Sequence, residues 1–255
     1  MKSYYRKSFL IVLTLIKQLE VNPYTSPLLC LEAQESLIRI LTRIEKRIQR
    51  CKNEIATLKR QLRIKKISHD AKAISQKIKS DIEFFEIRAE EYRELLNIFR
   101  TLGDAIAFLY ISKWDIKPMS FKEAPGFLSG KKGSRNERRI MRAAFNQGNI
   151  AILNDLTNCL QYGDITIVNP HTHMLLEVKS SDNTNARTKR QSERLSKLQN
   201  YLATDKVEGL YRDNEEMIRL NLLNGEINLR RDLNDVIELA YANGVASKLV
   251  EAGVI

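Results

Sequence analysis

From residue 28 to residue 102 the chain contains neither glycine nor proline. Within that stretch Leu37, Leu41, Ile44, Ile48, Cys51, Ile55, Leu58 and Leu62 follow one another at intervals of four and three. Apolar residues at that spacing form a seam along one side of an α-helix, the pattern of a coiled coil. The seam fails at Lys65, and Ser68 in "KKISHDAK" has the character of a new helix N-cap. A second, less regular series runs Ala71, Ile74, Ile78, Phe85, Tyr92, Leu95 and Phe99, with Asp81 and Arg88 interrupting it. Two helices of similar length with a short join predict an antiparallel helical hairpin, about 28–66 and 69–102.

The formal charge of the 255-residue chain is +11. The excess is uneven: residues 1–100 carry 21 Lys/Arg against 12 Asp/Glu, and the remainder 21 against 19. A basic balance suits an anionic partner, most often nucleic acid. Residues 37–66 alone hold eleven Lys/Arg and two acids. Two readings of them stand side by side, a solvated coiled-coil face and an arm that tracks phosphates. The hairpin would equally serve a homodimer or a partner protein. Cys30, Cys51 and Cys159 lack metal-ligand spacing and imply a reducing compartment without disulfides. The longest apolar run, Phe9–Ile16, is far short of the roughly 20 residues of a membrane span. A cytoplasmic protein with no membrane role is expected.

Gly103 opens a different regime, and a domain boundary is placed there, giving a helical region 1–102 and an α/β domain 103–255. The Gly-rich basic loop "APGFLSGKKGSRNE" has no P-loop spacing. A helix is predicted over 134–148, with Ser134 as N-cap and Glu137 three residues on, the spacing of a capping box. Strands are predicted at 164–168 and 174–180, a helix at 186–203, a further strand at 216–223 and a helix at 230–253. Helices mixed with strands imply an α/β or α+β core.

The chemistry concentrates in "YGDITIVNPHTHMLLEVKSS". Alternation along a strand puts Glu177 and Lys179 on one face. If the two strands pair through the turn "NPHTH", Asp164 falls opposite Glu177 or Lys179. Two carboxylates crowded on a sheet repel each other, and the apolar flanks Ile165, Ile167, Leu175, Leu176 and Val178 suggest burial, which is costly for ions. A divalent cation removes the conflict. Mg²⁺ takes one or two carboxylates together with waters and phosphate oxygens, and Lys179 would orient or activate a water. The plainer alternative is a solvated hairpin with a surface Asp164–Lys179 pair. Glu137 projects from the rim of an apolar stripe made with Met141, Ala144 and Phe145, as a site residue or a capping-box acid. Gln191 opens a stripe with Leu195, Leu198 and Leu202, as a site residue or a boundary amide. His171 and His173 make an H-x-H that suits a polar turn better than a metal. Asp155 reads as an acid behind the site or as a helix or turn residue. Trp114, Tyr110 and Phe121 are expected to pack the entrance of the second domain.

Taken together, "NERRIMRAAF", "GDITIV", "LLEVKSS" and "RQSERLSKLQNYL" resemble the PD-(D/E)XK nuclease superfamily, clearly over about 134–203 and loosely over 103–255. The resemblance implies a restriction-endonuclease-like mixed sheet flanked by helices, here preceded by the helical hairpin. Gly163 stands where the family's proline commonly precedes the aspartate, and the Q-x-x-x-Y spacing of its exonuclease branch is not kept. Position by position it implies Asp164, Glu177, Lys179, Glu137 and Gln191 as the catalytic set. Mg²⁺, with Mn²⁺ substituting, would lie on Asp164, Glu177, Glu137 and the Val178 carbonyl. Arg187, Arg190, Arg194 and Lys197 would contact phosphates, with Arg138, Arg139 and Arg142 in a lesser part. The expected activity is metal-dependent hydrolysis of nucleic acid, DNA before RNA, in a setting such as bacterial restriction or phage defence. The alternatives are a catalytically silent DNA-binding or assembly subunit and an RNA-cleaving effector.

Overall fold

The computed structural model describes residues 3–64, 71–120, 126–131, 133–168, 173–178, 186–210, 215–220 and 229–249. Contacts divide the chain into two compact units, Met1–Met217 and Ile218–Ile255. The first opens with α1 (Ser3–Val21), followed by α2 (Pro27–Ile64) and α3 (Ala71–Tyr110). The heptad seam explains the pairing of α2 with α3. Leu37, Leu41, Ile44 and Ile48 are fully buried, against α3 residues such as Leu96, Phe99 and Leu102 at the same end of the hairpin. Ile55, Leu58 and Leu62 are only half-buried, because toward the join each helix has little but the other to cover it. The exposed Lys59–Glu86 ion pair, 3.0 Å, bridges the two antiparallel helices near that join. Ser68 and His69 lie outside the described residues.

Gly103 does not end α3, which continues to Tyr110. The glycine has a different purpose there: a β-carbon at residue 103 would collide with the Leu156 carbonyl. Asp104, beside it, accepts from the backbone N–H of Asn158 (2.6 Å) and of Cys159 (2.9 Å). The last turns of α3 are thus docked on the loop that follows the first strand. Residues on both sides of position 103 contribute to one buried apolar cluster.

After α4 (Lys113–Met119) and α5 (Ser134–Asn146) come β1 (Ile150–Leu153), β2 (Ile165–Val168) and β3 (Met174–Leu176). Tyr110 is buried and its hydroxyl donates to the Pro23 carbonyl (3.0 Å), while Trp114 stays 43% exposed; Phe121 lies outside the described residues. The three strands form a sheet in the order β1-β2-β3, antiparallel in both pairings, with Leu153 opposite Ile165 and Ile165 opposite Leu176. The mixed sheet expected of a restriction-endonuclease-like fold is therefore not what these strands make. The sequence reading also places no strand at Ile150–Leu153, a run that is buried at every position.

Both edges of this sheet are closed by side-chain amides. On β1, Gln34 of α2 donates to the Ala151 carbonyl (2.8 Å) and accepts from Leu153 N–H (2.9 Å). On β3, Gln199 donates to the Leu175 carbonyl (2.8 Å) from α6 (Ala186–Thr204). An uncovered edge strand leaves backbone donors and acceptors unpaired, and these two glutamines supply the missing partners. Short strands β4 (Lys206–Glu208) and β5 (Glu216–Ile218) pair where the first unit ends. The second unit carries α7 (Arg230–Asn243), closed by Gly244 at φ +81°. Lys248 there pairs with Asp232 at 2.7 Å and Asp235 at 2.8 Å. Among the described residues no helix is long and apolar enough to cross a membrane.

Candidate active site

The antiparallel register brings three chain segments to one end of the sheet. There β1 ends, β2 begins and β3 ends. Asp155 follows β1 by two residues and Asp164 immediately precedes β2. The ladder extends past the strands through Asn154 N–H, which donates to the Asp164 carbonyl (3.0 Å). Asn154 itself is buried and locks the corner. Its amide donates to the Tyr162 carbonyl (2.7 Å), and its side-chain oxygen accepts from Thr166 (2.8 Å).

Gly163 makes the turn into Asp164. Its φ is +74°, a region costly for residues with a β-carbon, and such an atom would stand 2.9 Å from the Leu176 carbonyl. Glycine lets β2 and β3 approach closely enough for Asp164 N–H to reach that carbonyl at 2.7 Å.

Asp164 is buried, and one of its oxygens accepts from Val178 N–H (2.7 Å). The other accepts from the Lys131 ammonium (2.7 Å). That ammonium also pairs with Asp155 (2.8 Å) and Glu137 (3.1 Å). Three carboxylates from three segments thus surround one lysine. Glu137 reaches the cluster because α5 buries Glu137, Met141, Ala144 and Phe145 on one side. Ser134 is the first residue of α5, and the N-cap is Gly133, without a side-chain cap. The capping-box role expected for Ser134 and Glu137 is therefore absent, and the carboxylate turns to Lys131 instead.

The electrostatics follow from burial. Desolvation pushes the Glu137 carboxyl above the usual range, Asp164 adds to that by repulsion, and Lys131 opposes it. Burial alone would lower the Lys131 pKa, but hydrogen bonds and charge from Asp155 and Asp164 more than reverse this and raise it. Glu137 is 1% exposed, and its Oε2 is buried without a hydrogen-bond partner among the described residues.

Beside the cluster lies a cleft of about 340 Å³ lined by Tyr162, Gly163, Glu177, Arg190, Gln191, Arg194 and Leu195. Continuing the β2–β3 register one residue pairs Asp164 with Glu177. The two acids differ in setting, however: Asp164 is buried, whereas Glu177 is exposed on the cleft wall. The expected burial of both carboxylates holds for Asp164 alone. Val178 meets Asp164 through its N–H, which leaves its carbonyl, the expected ligand, outside this contact. Gln191, Arg190 and Arg194 do face the cleft. Lys197 instead donates to the Gly209 carbonyl (3.0 Å). Arg142 pairs with Glu35 of α2 (2.8 Å), Arg138 enters a separate groove beside α2, and Arg139 is exposed. Lys179, His171 and the side chain of Arg187 lie outside the described residues. His173 approaches Asp115 at 3.8 Å.

Lys131 is the part that the sequence reading missed, whereas Asp155 does stand behind Asp164, on the same ammonium. Lys131 sits in a segment without periodicity, and only the tertiary arrangement joins it to the acids. The loop carrying Lys131 is held by the helical hairpin. Glu45 of α2, fully buried, accepts from Leu128 N–H (2.9 Å) and Ser129 N–H (2.6 Å). Arg100 of α3, also buried, donates to the Gly126 carbonyl (2.7 Å). Burial pulls the Arg100 guanidinium below its ordinary pKa, and Glu45, Asp155 and Asp104 act against that.

The donor set suits a hard divalent cation, being carboxylates of which one oxygen is buried and unpaired. Among the described residues, however, no three His, Cys, Asp or Glu side chains are gathered as a metal cage. Glu137, Asp155 and Asp164 are spaced around the ammonium of Lys131. The chain matches no family model, no curated protein and no solved structure.

Proposed function

We propose that the chain is a metal-dependent nuclease that hydrolyses phosphodiester bonds, with DNA as the preferred polymer. One observation carries the reading. Glu137, Asp155 and Asp164 converge on a single positive charge at the end of the sheet, next to a cleft lined by Glu177, Gln191 and two arginines. Three acids, two of them buried, exceed the one positive charge of Lys131 and leave room for a further cation, and arginines beside them suit the phosphates of a polyanion. The PD-(D/E)XK resemblance assigns the same chemistry to four of these residues.

Glu137 and Asp164 would hold the metal, Asp155 would share its charge, and Glu177 would complete the set from the cleft wall. Bound there, Mg²⁺ would offset charge on the phosphate and acidify a water. Arg190 and Arg194 would bind the flanking phosphates, and Gln191 would orient the reacting group through its amide. The Asp164–Val178 hydrogen bond fixes the carboxylate rotamer, so that little ordering remains to be done on binding. Lys179 is assigned the attacking water on the sequence pattern.

Lys131 favours a second reading. An ammonium that already pairs with all three carboxylates is what a catalytically silent, DNA-binding member would retain in place of a metal. One experiment addresses both readings: linear, circular and single-stranded DNA and RNA incubated with the protein in Mg²⁺, Mn²⁺ or EDTA. The nuclease reading expects divalent-dependent cleavage that falls at least about a hundredfold in Asp164→Asn and Glu137→Gln while circular dichroism is unchanged. Absence of cleavage on every substrate, or normal cleavage by both variants, sinks it.

A further inference from the structure

A second basic site lies between α2 and α5. A groove of about 390 Å³ is lined by Ile38, Arg39, Thr42, Arg43, Lys46 and Arg138. Four of those six residues are cations and none is acidic. Arg39, Arg43 and Lys46 are spaced four and three residues apart, so they share one face of α2 along about 10 Å of helix. Arg138 faces them from α5, one residue after Glu137. The Glu35–Arg142 ion pair ties the same two helices together farther along.

Two unused donors lie beneath the lining of the groove. Thr42 Oγ1 and Arg138 Nε are both buried with no hydrogen-bond partner among the described residues. Buried polar groups are nearly always paired, so each orphan calls for an explanation. Arg39 donates to Ser36 (2.9 Å) and Arg43 lies 4.5 Å over the Tyr4 ring, contacts that orient these side chains without neutralising them. With four cations in its lining and no acid, the groove calls for a ligand that is rich in acceptors and negatively charged.

We infer that this groove binds the phosphate backbone of nucleic acid, outside the acidic cluster and its cleft. The identity of the polyanion rests on the nuclease reading, while the demand for an acceptor-rich anion rests on the groove itself. α5 then serves two charges of opposite sign. Glu137 meets the cation on its buried side, and Arg138 meets the polymer on the other.

The test is duplex-DNA binding by the full chain, followed by fluorescence anisotropy in EDTA across a salt series, so that cleavage plays no part. Arg39→Ala/Lys46→Ala removes two exposed groove cations. Arg60→Ala/Arg63→Ala, at the far end of α2, removes the same charge elsewhere on the helix. Thr42→Val removes only an unpaired hydroxyl and is not expected to impair folding. The groove double variant should lose about tenfold in affinity, and its log–log salt slope should flatten by about 1.8, or 0.9 per phosphate contact. Thr42→Val, which changes a buried hydroxyl and no charge, and the Arg60/Arg63 variant should both stay near the parent. Equal losses in the two double variants would show binding by diffuse charge and overturn the proposal, as would a parent chain that does not bind DNA. Cleavage with an inert groove would leave the nuclease reading standing and remove this site. Groove-dependent binding without cleavage would do the reverse.

Discussion

Lys131 decides the behaviour of the acidic cluster, because three carboxylates share its charge. Lys131→Met should destabilise the fold by about 2 kcal/mol in EDTA. That is less than the 3–5 kcal/mol typical of breaking a fully buried pair, since the side chain retains 32% exposure. Mn²⁺ should then raise Tm more in the variant than in the parent, since a ligand bound only by the folded state adds stability. An equal shift in both would place the metal away from this cluster. Glu137 gives the cluster a pH dependence of definite sign. Its folded pKa lies above the unfolded value near 4.5, so the native state holds the proton more tightly. Stability from this group is present at low pH and falls as pH rises from about 4.5 through the folded pKa. Glu137→Gln should flatten that part of a Tm–pH profile, and an unchanged profile would remove Glu137 as its source. Asp164, Glu137 and Gln191 were legible in the sequence because each breaks an apolar pattern at a defined spacing. Lys131 was not, since a lysine in a Gly-rich loop has no periodic neighbours to mark it.

At the scale of elements, what the sequence shows is periodicity, and what it hides is closure. The hairpin was readable because its seam repeats over almost four heptads, and β2 and β3 because apolar runs flank a turn. The run Ile150–Leu153 escaped because four apolar residues without alternation have no period to read. Gly103 was read as a helix stop, because a close approach to the Leu156 carbonyl is a property of the packed molecule and not of α3 alone. The edge-closing glutamines are hidden for the same reason. Gln34 lies on the buried side of α2, where a polar residue looks like an interruption, yet its amide is the outer partner of β1. Gln34→Ala should leave one donor and one acceptor of β1 buried and unpaired, costing about 2–4 kcal/mol in urea denaturation. Gln199→Ala removes a single, partly buried bond on β3 and should cost about 1 kcal/mol. Equal losses would show that the β1 edge is no more dependent on its side-chain partner than the β3 edge.

Across the first unit, the hairpin and the candidate site form one mechanical chain. Glu45 and Arg100 stand on the two long helices and grip the backbone at Gly126, Leu128 and Ser129, two residues before Lys131. A coiled-coil-like arm therefore sets the position of the charge at the centre of the acidic cluster. Glu45→Gln tests that connection with little change of volume. The amide retains one acceptor oxygen, so the fold should survive, but one loop N–H loses its charged acceptor and Arg100 loses a counter-charge. Hydrogen exchange at the Leu128 and Ser129 amides should accelerate by at least about tenfold as the loop opens locally. The Mn²⁺-induced Tm shift should move toward that of Lys131→Met, because a loosened loop no longer holds the ammonium among the carboxylates. Faster exchange with an unchanged metal response would mean that Lys131 finds its partners without help from the hairpin. Neither change would mean that the two buried hydrogen bonds are redundant with the packing around them.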